Sequence, residues 1–501
     1  MQKHDFMFIK KLKKFDPLKL KNKDWYHQRF DASPLFTSFI AFAEVRREKR
    51  KPAGTEADMR ICFFKDGNAD WYLDMKDVRR GSNVLIKFAQ KNKNLSARII
   101  KDWKMDEELF NNFFHAFNKI NLRALDDLEL LNLFEKYVNI ALNRFTSSAI
   151  IDHFALGTDE IVERMLRQEV GKLDKESDFT NIFSVATAPV HQSFINRAEI
   201  ELLKIAIATP LNWGKIGAYQ RKYYWLKNNY IKARNLSVRH FANEIDNWKK
   251  SKKDLRVYLR QMRITPRLNK ARKLKLFKKY NFSPLLKTLL KISEDFTWWQ
   301  DERKQATYLN IDIGTKILNE LAVRRGYNKE SLKFLIIPEV AVWFKQRFLS
   351  QKDLNERMKK SVMIVTRQGY EVITGTKVNK IKKIMMGNNK KDKIRDVRGL
   401  SASVGRAIGR VRVVGSAREI GKVNQGDILV AVMTRPDYIS GMRKAAAIVT
   451  NEGGITCHAA IISRELGIPC IIGTKIATQI FHDGDLVEVN ANHGWVRKIN
   501  I

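Results

Sequence analysis

From about residue 76 to about residue 330, apolar side chains recur at helical spacing. Leu109, Phe113 and Phe117 fall at i, i+4 and i+8, and Leu131, Phe134, Val138 and Ile140 continue the theme. Leu202, Leu203, Ile205 and Ala206 form another stripe ahead of Pro210. Asp126-Asp127 sets acids at the positive end of a helix, and the scarcity of proline suits long helices. Ahead of this region, Phe36–Ala43 and Arg60–Phe64 read as strands, with Pro52-Ala53-Gly54 between them and Asp66-Gly67-Asn68 as a turn. Beyond Arg398 the pattern changes. Glycine becomes frequent and β-branched residues alternate. Ile408–Val414, Gly426–Val432, Ala446–Thr450, Cys470–Gly473 and Leu486–Val489 read as strands of a β/α domain. The pattern predicts a multidomain α+β chain: a basic mixed α/β segment over 1–75, an α-helical domain over 76–390 and a β/α domain over 391–501. Lysine runs at Lys249–Lys253 and around Asn388–Lys393 mark the seams.

Composition sets limits on this picture. A chain of 501 residues with 44% apolar content can bury real cores. It has no apolar run of 18 residues, so no membrane span and no membrane partner are expected. The first residues lack the apolar stretch of a signal peptide. Cys62, Cys457 and Cys470 are too scattered for a disulfide framework or a zinc site, so no metal ligands are assigned and the expected compartment is the cytoplasm.

The net charge of +39 is uneven. Residues 399–501 hold 12 Lys/Arg against 8 Asp/Glu, a net of +4, which leaves 39 − 4 = +35 on the first 398 residues. Such a field attracts nucleic acid, anionic membrane or phosphorylated ligands. No finger spacing, RNP-like motif or basic zipper accompanies it. Composition drift in a chain rich in Lys, Asn, Ile and Phe accounts for the charge as well.

Residues 453–469 carry the clearest chemistry. Gly453 and Gly454 permit backbone conformations that a β-carbon blocks and let a phosphate come close. His458 follows at the start of a short helix, exposed, with free N–H groups and the positive dipole end beside it. Its ring nitrogen can attack or accept a phosphoryl group. Thr456 and Cys457 flank it, where a hydroxyl can cap the helix or bond a phosphate. A core histidine satisfied by hydrogen bonds is the plainer reading of any lone histidine.

The residues from 399 onward resemble the phosphohistidine swivelling domain of phosphoenolpyruvate-utilising enzymes, a family that includes phosphoenolpyruvate synthase, pyruvate phosphate dikinase and rifampin phosphotransferase. The resemblance runs through Gly426–Val430, Thr434-Arg435-Pro436-Asp437, Ala447–Thr450, Gly453–Ile461, Arg464–Pro469, Gly473-Thr474 and Asp483-Gly484-Asp485. It implies a β/β/α domain that swings between two active sites, transient phosphorylation of His458, and a dependence on Mg²⁺ bound with phosphate or a partner. Thr456 matches the position of a regulatory phosphothreonine in the synthase and dikinase members. No Walker motif or ATP-grasp core precedes this domain, and no pyruvate-handling barrel follows it. A separate ATP-grasp protein is therefore the expected donor partner, with a small-molecule phosphoryl acceptor. The order of helical region then histidine domain is similar to rifampin phosphotransferase without its ATP-grasp domain. Residues from about 80 to 385 then correspond to an acceptor-binding domain, a likeness resting on segments such as Tyr224–Tyr230 and Trp299–Lys304.

In that last segment Trp299, Asp301, Arg303 and Lys304 offer an aromatic floor, a carboxylate base and cations for a transferred phosphate. The bland reading is an amphipathic helix with tryptophan in the core and a solvated charge pair. Two further functions stand beside phosphotransfer: a non-catalytic basic protein that binds nucleic acid or another polyanion and carries a relic swivelling domain, and a regulatory subunit of a full-length synthase.

Overall fold

The computed structural model describes residues 10–12, 14–47, 52–171, 176–208, 211–250, 254–386, 396–454 and 457–499. Part of each lysine run, 251–253 and 387–395, lies outside the described residues.

A five-stranded antiparallel sheet is built from both ends of the N-terminal region. Its strands are β1 (Trp25–Asp31), β2 (Met59–Lys65), β3 (Asn68–Asp74), β4 (Ser361–Thr366) and β5 (Gly369–Thr374), in the order β1-β3-β2-β4-β5. Asp66 and Gly67 join β2 to β3 with φ of 50° and 78°, the left-handed pair that a two-residue hairpin turn requires. Because β2 pairs with β4, the boundary expected at residue 75 does not separate two bodies. One core runs from Phe36 and Phe39 through Phe134 and Tyr137 to Ile313, Leu318 and Trp343.

The expected strand Phe36–Ala43 is instead the middle of a helix, Pro34–Val45. Extended Ser33 and Pro34 in the first turn start it. Eleven of its twelve residues are buried, so the segment has no polar face from which a period could be read. Asp126 caps the helix Asp127–Ser148 in a reciprocal box with Glu129. The longest helix, Pro284–Arg325, spans 42 residues and runs through both helical cores.

The C-terminal domain holds β6 (Asp396–Arg398), β7 (Leu400–Ser403), β8 (Arg406–Val414), β9 (Ile428–Ala431), β10 (Ala447–Thr450), β11 (Cys470–Ile472), β12 (Leu486–Asn490) and β13 (Trp495–Lys498). Their order is β6-β13-β12-β8-β9-β10-β11-β7. Long β8 pairs antiparallel with β12 through Arg406–Arg410 and parallel with β9 through Val411–Val414, so one strand serves two sheet halves. Ile428 and Val430 face a core between the halves, whereas Leu429 and Ala431 face a second core under the helices. Burial on both faces explains the unbroken apolar runs of β9 and β10. The layers are β/β/α, as expected, and the fold class is α+β. Among the described residues, no helix is long and apolar enough to cross a membrane.

Candidate functional site

The parallel strands β9 and β10 end side by side, and the segments that follow them build the site, as is usual at the carboxyl ends of such strands. After β10 the chain turns through Glu452, Gly453 and Gly454 and enters the helix His458–Leu466, with Cys457 at the N-cap. Gly453 has φ of 125°, and a β-carbon there would lie 2.7 Å from Cys457 Sγ, so glycine is required twice over. Thr456 lies outside the described residues.

After β9, Thr434 places its Oγ1 2.9 Å from His458 Nδ1. The tautomer in which Nδ1–H donates to that hydroxyl leaves the lone pair on Nε2. Burial lowers the imidazole pKa well below its usual value, and nearby Lys304 and Arg435 lower it further. The ring is neutral at pH 7, as a nucleophile must be. The two cations that repel a proton would attract a phosphoryl group on the same ring. Thr434→Val removes only the hydroxyl. It should slow phosphorylation of His458 roughly tenfold with little change in melting temperature; an unchanged initial rate of labelling would show that the hydroxyl does not set the tautomer.

His458 lines a cavity of about 270 Å³ between the C-terminal domain and the N-terminal body. Gly453, Gly454, Cys457, Thr434 and Arg435 form one wall. Tyr26 and Phe30 of β1, Tyr230, and Trp298, Asp301, Arg303, Lys304 and Tyr308 of the longest helix form the others. Asp301, Arg303 and Lys304 are thus brought to His458 from far away in sequence. They differ in what they are free to do. Arg303 holds Asp152 through two bonds of 2.9 and 3.0 Å and reaches the Ser148 carbonyl, which fixes it to the wall. Lys304 and Asp301 are only loosely joined at 3.5 Å.

Trp299 does not line the cavity. It is fully buried, edge-on to Trp103 and Phe296 at ring separations of 5.7 and 5.3 Å. Its neighbour Trp298, about 100° round the helix, takes the expected aromatic place.

Sequence reasoning gave Arg435 no role. Its guanidinium lies 4.0 Å from the Phe30 ring centre and 5.5 Å from that of Tyr230, stacking across the domain boundary. Its Nε is buried without a hydrogen-bond partner among the described residues. The available signal was the Thr434-Arg435-Pro436-Asp437 motif directly after β9.

Leu400 packs against the second helical core, and several polar contacts also cross the boundary. Arg418 pairs with Asp31 at 3.1 Å, Lys475 Nζ lies 5.6 Å from the Tyr26 ring centre, and the His27 N–H donates to Glu452. The Glu452 carboxyl is pushed up to about 7, chiefly by burial, although Lys475 at 3.0 Å opposes the shift. Because the carboxyl is raised from its ordinary 4.5 to about 7 in the folded chain, its contribution to stability is full below the lower value and is lost as pH rises to the upper one. The melting temperature should therefore fall across that window, and Glu452→Gln should flatten the profile.

The Mg²⁺ implied by the resemblance was tested against the residues present. Among the described residues, three metal-ligating atoms come together only at His191, Glu294 and Asp295. The two carboxylates there already hold Lys273 and Lys291 at 2.8 Å. Two ammonium groups on those oxygens do not fit a resident divalent ion.

Residues 423–494 match the family model described as PEP-utilising enzyme, mobile domain. Over 100 residues the chain is 56% identical to a probable phosphoenolpyruvate synthase of Archaeoglobus fulgidus, covering 20% of this chain and 13% of that one. Over 102 residues it is 56% identical to the phosphoenolpyruvate synthase of Pyrococcus furiosus, covering 20% and 12%. The match thus spans a small part of these relatives' length. A solved structure of Thermococcus kodakaraensis aconitase X overlaps 21% of this chain and 98% of its own at 18% identity, with a TM-score of 0.17, too low to carry an argument. Residues 423–494 are thus similar to the mobile domain of PEP-utilising enzymes, and the surrounding hundred residues to the corresponding part of phosphoenolpyruvate synthases.

Proposed function

We propose that His458 carries a phosphoryl group to a hydroxyl acceptor bound in the cavity. In the charging step the Nε2 lone pair forms a bond to phosphorus, and the donor's P–O bond breaks with its electron pair left on the donor oxygen. In the delivery step the acceptor oxygen forms the new O–P bond and the N–P electron pair returns to Nε2. The acceptor proton passes to a carboxylate, and Asp301 on the opposite wall, only loosely joined to Lys304, is suited to take it. Lys304 and Arg435 offset the charge that builds on the phosphoryl oxygens. Phe30, Tyr230, Trp298 and Tyr308 make much of the wall aromatic, which favours an acceptor with an apolar body and one hydroxyl.

The observation that carries this reading is that His458, with its Nδ1 bonded to Thr434, shares one cavity with Lys304 and Asp301. Mg²⁺ would have to arrive with phosphate or a partner. The donor is a separate ATP-grasp protein or a phosphorylated small molecule such as phosphoenolpyruvate. The test is incubation with ³²P-labelled donors, with and without ATP-grasp proteins of the same organism. The expected product is an acid-labile, base-stable phosphate on the chain that hydroxyl compounds discharge. Absence of label with every donor rules the proposal out.

A further inference from the structure

The helix Leu255–Tyr280 stands apart from the rest of the surface. Ten of its 26 residues are Lys or Arg and none is Asp or Glu. Only Lys273 is buried. Arg256, Arg260, Arg263, Arg267 and Lys270 follow one another at intervals of four and three, so they form a single outward row about 21 Å long. None of the five has an ion pair among the described residues, although the chain holds 54 Asp and Glu. A second row lies beside the first. Val257, Ile264 and Leu268 fall on one line and are 50%, 37% and 47% exposed.

The opposite side of this helix braces the cavity. Gln192 donates to the Met262 carbonyl, Asn269 to that of Pro189, and Lys273 to that of Ala188 and to Glu294. Pro189, Val190 and His191 line the cavity. Whatever docks on the outer face therefore lies about one helix diameter, ~10 Å, from the cavity wall.

We propose that the helix Leu255–Tyr280 docks this protein on an anionic lipid surface. A cationic row alone fits any polyanion. The aliphatic row beside it is the discriminating feature: it enters the boundary between headgroups and acyl chains while the arginines hold lipid phosphates. A nucleic acid has no use for exposed Val257, Ile264 and Leu268, and the outer face offers it no stacking ring. Tyr258 is bonded to Glu199, and Phe277 and Tyr280 pack against the helical core. This is peripheral docking, distinct from a membrane-spanning helix, of which the described residues hold none. It stands whether or not His458 transfers phosphate.

The experiment is flotation of the whole chain with vesicles of phosphatidylcholine alone and with vesicles in which phosphatidylglycerol is about a third of the lipid. Binding is expected to the anionic vesicles only, and it should weaken steeply with salt. The variant R256Q/R260Q/R263Q/R267Q should bind about 100-fold more weakly, each charge being worth a several-fold change. The variant V257S/I264S/L268S should bind about tenfold more weakly at unchanged charge. All replaced side chains are at least partly exposed, and matched circular dichroism of the variants checks that they fold. Failure to float with anionic vesicles overturns the proposal. So does tight binding of duplex DNA or RNA that the arginine variant loses and the apolar variant keeps, which assigns the face to nucleic acid.

Discussion

His458→Ala is expected to leave a folded chain that takes up no phosphate from any donor. The substitution removes the imidazole that follows Gly453 and Gly454, and the hydroxyl of Thr434 cannot replace a neutral imidazole as a leaving and attacking group. Transfer to an acceptor should fall at least ~1000-fold, as when a covalent nucleophile is lost. Binding of the acceptor should persist, because the aromatic wall belongs to the other body. Labelling by ³²P, paired with a thermal melt, decides the matter: retained label on the alanine variant would place the phosphate elsewhere. His458→Gln, which keeps a polar side chain of similar reach, should be equally inactive.

The second large effect is expected at Arg435. Its buried Nε has no hydrogen-bond partner among the described residues, and its charge already acts on the His458 ring. Arg435→Ala removes a cation placed where phosphoryl charge develops and should lower the transfer rate about 100-fold. It also removes the stacking on Phe30 and Tyr230, so docking weakens. The two contributions separate experimentally. Arg435→Lys keeps the charge but loses the planar stack, and should recover part of the rate while docking stays weak. A further signature follows from the cause of the depressed imidazole pKa. With Arg435 gone, one of the two cations opposing protonation is absent, so the pKa of His458 rises and the acid limb of the rate profile moves upward. An alanine variant with the parent's rate and profile would show that the guanidinium only fills space.

The histidine loop was legible because its parts are consecutive. Gly453, Gly454 and His458 need no distant residue to announce a turn and a helix start, and the family model matches the stretch around them from 423 to 494. The strands of the C-terminal domain were legible for the same reason. The opposing wall was not. Lys304 and Asp301 look like any i, i+3 pair on a solvated helix until the C-terminal domain is set against them. Trp298 and Trp299 are neighbours, and composition cannot say which side of a helix faces the core; packing against Trp103 and Phe296 decides it. The segment Pro34–Val45 misled for a different reason. Its surroundings bury it on all sides, and only the position of Pro34 betrays a helix. The pairing of β2 with β4 is a contact between segments almost three hundred residues apart, and no local pattern records it.

That pairing has a consequence for biosynthesis. A ribosome delivers β1, β2 and β3 early, and they can zip together at once, but the free rim of β2 from Met59 to Phe64 must wait for β4. Until Ser361–Thr366 emerges, a row of unpaired amides and carbonyls between apolar side chains is open to any passing chain. Products that stop short of Ser361 keep that rim bare, which makes premature termination more hazardous for this protein than for one whose first strands complete their own sheet.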